Sequence, residues 1–80
     1  MTQDLLATIG AALYGPHWIA PLADALGINV RTLQRWANGQ FVPSGDSAAG
    51  LLADMRKLLV ARGRELERVV REIDRAAGKL

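Results

Sequence analysis

From Ser47 to Ala77 the chain holds no proline and follows one helical repeat. Leu52, Met55, Leu59, Arg62, Leu66, Val69, Ile73, Ala76 and Leu80 recur at alternating steps of three and four. That is a heptad seam, with Arg62 as its one polar member. At 1.5 Å per residue such a helix reaches roughly 48 Å. The residues that precede it cannot build a body that long, so its distal end must project or find a partner. Before Arg62 the apolar stripe is wide, because Leu51, Leu58 and Val60 join it, and a wide stripe suits packing onto a globular body. After Arg62 it narrows to the seam, flanked by Val70 and Ala77. The outer face offers ion pairs at i,i+4, Glu67 with Arg71 and Arg68 with Glu72. Gly63 leaves two readings, a continuous or bent helix and a helical hairpin. No capping residue follows it to start a second helix, so the continuous form is preferred.

What is left for a body is small. Eighty residues allow one domain with a limited buried surface. No cysteine is present to add a disulfide or a thiolate metal site. Oligomerisation is the remaining common support for a chain of this size. Alanine and leucine are abundant, aromatics are few and β-branched residues do not cluster, which favours an all-α fold. No apolar run approaches the roughly 20 residues of a membrane span. The opening LLATIGAALYG follows an acidic residue and has no basic start, so it reads as a helix and not as an export signal. The cytoplasm is the expected location.

The first helix is expected from Thr2 to Tyr14. Thr2 is an N-cap, and Asp4 in the first turn suits the helix dipole. Leu5, Leu6, Ile9, Ala12 and Leu13 should form its buried face. Gly10 is either a mild cost or a close packing contact. Gly15-Pro16 ends the helix.

The next stretch, Ile19 to Gly39, reads as two short helices around Gly27. Leu22, Ala23 and Leu26 share one face of the first. Val30, Leu33 and Trp36 recur at spacing three on the second. Gly27 ends the first because glycine adopts positive φ without strain. Asn29 is a good N-cap for the second. Pro21 falls in a first turn, where its missing N–H is tolerated, so the helix should start at Trp18 or Ile19. Asn38-Gly39 closes the pair. Gln40 to Pro43 should be extended, with Phe41 and Val42 plugging the core against the first helix. Ser44 or Asp46 should cap the long helix. The chain thus divides into a region 1–45 and a long C-terminal helix 46–80, one structural unit overall.

Two helices, a short glycine turn and a polar second helix form the pattern of a DNA-binding helix-turn-helix. The stretch resembles the Cro/C1-repressor (XRE-like) family of small bacterial and phage regulators. The residues that carry the resemblance are Ala23, Gly27 four positions on, then Ile28, Leu33 and Trp36 at the family's buried positions, and the ending RTLQRWANG. It covers about twenty residues closely and the first forty-five loosely. It implies a small all-α DNA-binding domain in a phage, prophage or mobile-element setting.

Candidate contacts follow from the second helix of the motif. Arg31 and Arg35 lie at i,i+4, so both point to one side. Arginine can donate two hydrogen bonds to guanine O6 and N7, and Gln34 can pair with adenine. Val30 suits a thymine methyl group, and Thr32 a phosphate or a base. A solvated helix face is the alternative for the two arginines. Asn29 is an N-cap, with a base or phosphate contact in addition as the alternative. His17 and Trp18 lie where a helix N-terminus favours an anion, and are candidate phosphate contacts. For Trp18 the core is the preferred reading, with an indole N–H donated to a phosphate as the alternative, and Trp36 is expected in the core. Gln40 is a further phosphate candidate. One histidine and no cysteine leave no metal site. No nucleophile–histidine pair or phosphate loop points to an enzyme, a cofactor or a small-molecule ligand.

The charge distribution cuts the other way. Residues 1–45 hold Arg31 and Arg35 against Asp4 and Asp24, a net of zero, and residues 46–80 hold eight basic and six acidic side chains. A DNA-binding module is expected to be more basic. Both early arginines nonetheless fall on the segment that should face DNA. The expected function is therefore sequence-specific binding of a palindromic double-stranded operator. The protein would act as a homodimer that represses transcription or regulates its own operon. Leu66, Val69, Ile73 and Leu80 are the expected dimer interface. The competing reading is a helical protein-interaction module, antitoxin-like, that uses the seam to hold a different protein.

Overall fold

A computed structural model describes residues 1–79. Leu80, the last member of the seam, lies outside the described residues. Four α-helices make up the fold, and no strand occurs among the described residues.

Local chemistry explains where each helix starts and stops. Helix α1 runs Gln3–Tyr14, and the Thr2 hydroxyl accepts the Leu5 N–H at 3.1 Å. Gly15, at φ +77°, ends it, and a single 3₁₀ turn, Gly15–His17, leads into α2, Ile19–Leu26. Gly27 then takes the left-handed conformation, φ +66° and ψ +33°. Its N–H bonds to the Asp24 carbonyl at 3.2 Å, and the Ile28 N–H bonds to the Ala23 carbonyl at 2.9 Å. This pair of bonds is a Schellman ending, which satisfies carbonyls the helix would otherwise leave free. Only three residues separate α2 from α3, Val30–Ala37. Gly39, at φ +82°, closes α3 in the same way, with bonds from Gly39 to Trp36 at 3.0 Å and from Gln40 to Arg35 at 2.8 Å.

Helix α4 is continuous from Gly45 to Ala77, 33 residues, and runs through Gly63 without a break. It starts two residues before the expected Ser47. Ser44 is its N-cap by position but makes no side-chain capping bond. Asp46 lies in the first turn, where its charge suits the dipole. The helix accounts for the 54 × 24 × 20 Å shape of the molecule.

Helix α1 is the hub, with α2, α3 and α4 each packed against it and α2 packed on α3. Leu6, Ile9 and Leu13 of α1 meet Trp18, Leu22, Ala23, Leu33 and Met55 in one core. Leu6, Leu22, Leu33 and Met55 are the largest fully buried side chains. Gly10 is a packing contact: a Cβ there would overlap the Trp18 ring, 2.8 Å from its Cγ. The small residue lets the indole lie directly on the α1 backbone.

Several expectations are corrected. The buried stripe of α1 is narrower than its apolar residues: Leu5 is 41% exposed and Ala12 is exposed, because the neighbouring helices cover only the Leu6–Ile9–Leu13 line. On α3 only Leu33 is fully buried; Trp36 is half-buried and packs against the core, and Val30 is exposed. Phe41 is not a core plug. It is 85% exposed and sits at φ +54°, so the segment from Gln40 to Pro43 is not uniformly extended. Val42 is half-buried. The Glu67–Arg71 pair does not form; Arg68–Glu72 does, at 3.9 Å, and Arg62 pairs with Glu65 at 3.5 Å.

Candidate nucleic-acid interface

The turn between α2 and α3 fixes the angle at which α3 is presented. Leu33, with no exposed surface, pins α3 to the body, and Trp36 braces the same side one turn later. A 3.6-residue period then throws Arg31, Gln34 and Arg35 to the outside, where all three are exposed. Arg31 and Arg35 stack one turn apart, and Gln34 follows Val30 in the same manner. Thr32 is half-buried, turned closer to the body than its neighbours.

Asn29 acts as the N-cap: its Oδ1 accepts the Arg31 N–H at 2.8 Å. That bond orients the first turn of α3 and leaves the Asn29 amide NH2 group with no protein partner among the described residues. Gln40 is exposed at the opposite end of α3, its backbone N–H held in the closing turn. The two residues therefore bracket the exposed face.

His17 is exposed at the start of α2, whereas the Trp18 side chain goes into the core at 9% exposure. The core reading of Trp18 is the one the packing favours. Both residues line an open cleft of about 250 Å³ with Pro16, Ile19 and Ala20. Helix α2 begins there without a side-chain cap. Pro21 lacks an N–H, so its first turn offers fewer free amides than usual.

Charge on α3 is uncompensated. The ion pairs among the described residues all lie on α4, and neither Arg31 nor Arg35 has a carboxylate partner. Two exposed guanidinium groups one turn apart on an eight-residue helix, with the Gln34 amide beside them, form a surface suited to hydrogen-bond acceptors such as base edges and phosphate oxygens.

Two features beside this face had no sequence signal. The Gln3 side chain of α1 occupies the space a Cβ on Gly39 would take, so Gly39 serves both the left-handed turn and the close approach of α1 to the end of α3. Phe41, two residues on, presents its ring to solvent.

Leu66, Val69, Val70 and Ile73 are exposed at 41–61% along the distal half of α4, and no part of the body covers them. Among the described residues, no helix is long and apolar enough to cross a membrane. No family model matches this sequence, and neither a curated protein nor a solved structure matches it.

Proposed function

We propose that the protein binds a palindromic double-stranded DNA site as a homodimer and represses transcription, most simply that of its own operon. The observation that carries this reading is α3. Its buried side is reduced to Leu33 and a half-buried Trp36, while Val30, Arg31, Gln34 and Arg35 stand exposed on a short helix fixed by a three-residue turn. The reading places α3 in the major groove, with those four side chains toward base edges. His17, Asn29, Thr32 and Gln40 are placed on the phosphate backbone, and the buried Trp18 supports the cleft wall beside His17. The resemblance of Ile19–Gly39 to the Cro/C1 (XRE-like) helix-turn-helix supports the same assignment and a phage or mobile-element setting.

One recognition helix spans only a few base pairs, so useful specificity requires a second copy. A two-fold dimer reads two half-sites about one helical turn apart, near 10 base pairs centre to centre, or a multiple of that. The exposed seam of α4 is the proposed dimer surface. A second reading keeps one specific observation on its side: the balanced charge of residues 1–45. It makes the protein a helical interaction module whose seam holds a different protein.

A gel-shift titration against the gene's own upstream region, with and without excess unrelated duplex, separates the two. Retention of a discrete complex under competitor supports the DNA reading. No complex, or one lost to competitor, overturns it. The salt dependence adds a second number. Each neutralised phosphate contributes about −0.9 to the slope of log K against log salt. Few arginines face the DNA, so roughly two to four contacts per subunit are expected.

A further inference from the structure

The distal half of α4 has two unlike flanks. In heptad terms Leu66 and Ile73 are a positions, and Val69 and Ala76 are d positions. The e flank is then Gly63, Val70 and Ala77, small or apolar throughout, and the g flank is Glu65, Glu72 and Lys79. All of these side chains are exposed, and the helix that bears them is unbroken.

We propose that two copies of this chain pair through distal α4 in antiparallel fashion, with the two-fold axis level with Arg71. This rests on the dimer reading above and fixes its geometry. Parallel pairing sets g against e, which puts Glu65 against the partner's Val70 and Glu72 against the partner's Ala77. Every flank contact is then a carboxylate on an apolar residue. Antiparallel pairing sets e against e and g against g. The apolar flanks then meet each other, with Val70 against the partner's Val70 and Gly63 against the partner's Ala77. The charged flanks also meet, with Glu65 beside the partner's Lys79 at both ends. Glu72 meets the partner's Glu72 in the middle, but each carries its own counter-charge, the Arg68 guanidinium at 3.9 Å.

The register follows from the core layers. With the axis level with Arg71, Leu66 packs on the partner's Ala76 and Val69 on the partner's Ile73, so every exposed apolar residue from Leu66 to Ala77 is covered. A shift of one heptad toward the body moves Arg62 from the outer end of the overlap to an inner layer, on the partner's Ile73, and sets Glu65 against the partner's Glu72, where like charges oppose. The two bodies then lie at opposite ends of a rod. The helices overlap over about 27 Å at 1.5 Å per residue, so the dimer is about 80 Å long. One chain alone measures 54 Å, and a parallel pair stays close to that length.

The test uses the absence of native cysteine. Leu66→Cys and Ala76→Cys are made as separate full-length proteins, oxidised alone and as a mixture, with sedimentation and solution scattering on the wild type. The expected result is a dimer about 80 Å long, little disulfide in either variant alone, and ready disulfide formation in the mixture. Efficient self-linking of each variant alone, with a length near 55 Å, overturns the antiparallel arrangement and leaves the dimer standing. A wild type that sediments as a monomer at high micromolar concentration, with no disulfide in any sample, overturns the dimer reading itself.

Discussion

The two halves of α4 carry the same heptad seam and meet opposite fates. Between Gly45 and Leu59 the seam is covered: Ala48 and Met55 are buried, and Leu51, Leu52, Leu58 and Leu59 are half-buried against the body. From Val60 onward every described residue is exposed. The seam itself runs at the same three–four spacing through both halves, so its period does not account for the difference. It is length that decides, because α1 is 12 residues long and can cover only about 18 Å of a helix almost three times that length. An apolar period therefore states that a face is to be covered, and the size of the rest of the molecule states whether the chain can cover it alone.

The largest effects should separate the halves by what they damage. Leu33→Ala removes a fully buried side chain and should cost about 2–5 kcal/mol. For a domain of this size that is a large part of the total stability. Leu66→Asp with Ile73→Asp should leave the body folded, remove dimerisation and lower Tm to the value the wild type approaches at high dilution. Thermal melts over a hundredfold concentration range check both: wild-type Tm should rise with concentration, as expected when association is coupled to folding. The double variant should lose that dependence. If the double variant remains a dimer, the interface lies elsewhere on the molecule.

Gly10→Ala should come next. The added methyl meets the Trp18 ring against the α1 backbone, and overpacking of this kind costs about 1–3 kcal/mol. Gly63→Ala, also in a helix interior, meets nothing within 4 Å and should gain roughly 0.5–1 kcal/mol from propensity alone. Chemical denaturation of the two variants sets them side by side. Two Gly→Ala substitutions of opposite sign would show the body packed to contact at Gly10 and room for a methyl group at Gly63.

The local features were legible in the sequence because their causes are local. Thr2 and Asn29 cap because a hydroxyl or amide oxygen there reaches a first-turn N–H. Gly27 and Gly39 turn because only glycine takes that φ freely. Leu5, Ala12 and Phe41 were misplaced for a different reason. Apolar character says that a residue can be buried, but which line of α1 is covered depends on where α2, α3 and α4 come to rest. The Gly10–Trp18 contact is likewise set by the angle at which the 3₁₀ turn returns the chain. For the candidate site, the exposure of Arg31, Gln34 and Arg35 follows from period alone. The burial of Trp18 and the half-burial of Thr32 required the assembled body.

On the exposed face of α3 the substitutions should separate binding from folding. Arg31→Ala and Arg35→Ala should each weaken specific binding by about 1–3 kcal/mol and relax preference at one base pair per half-site. Melting temperature should be unchanged, since neither guanidinium is paired or buried. Titration of each variant against the operator and against single-base variants of it measures both effects. Variants that bind like the wild type would take α3 out of the groove.

The smallest effect is the one whose sign matters most. Phe41 is an apolar residue exposed on the body, unlike the exposed apolar residues of distal α4, which lie on a seam. It occupies φ +54°, a conformation that a bulky side chain rarely adopts and that carries a strain of order 1–3 kcal/mol. At 85% exposure its ring gains almost nothing from packing in return. Phe41→Gly should therefore leave stability unchanged or raise it slightly. The relief of strain is offset in part by about 0.5–1 kcal/mol of added chain entropy in the unfolded state. Phe41→Ala, which keeps the strained φ and removes only the ring, should be nearly neutral. A core plug behaves in the opposite way, losing about 3–5 kcal/mol in Phe→Ala. Denaturant midpoints of the two variants decide between these outcomes. If both fall steeply, Phe41 is covered in solution, and the body would share with distal α4 an apolar surface that a second copy completes.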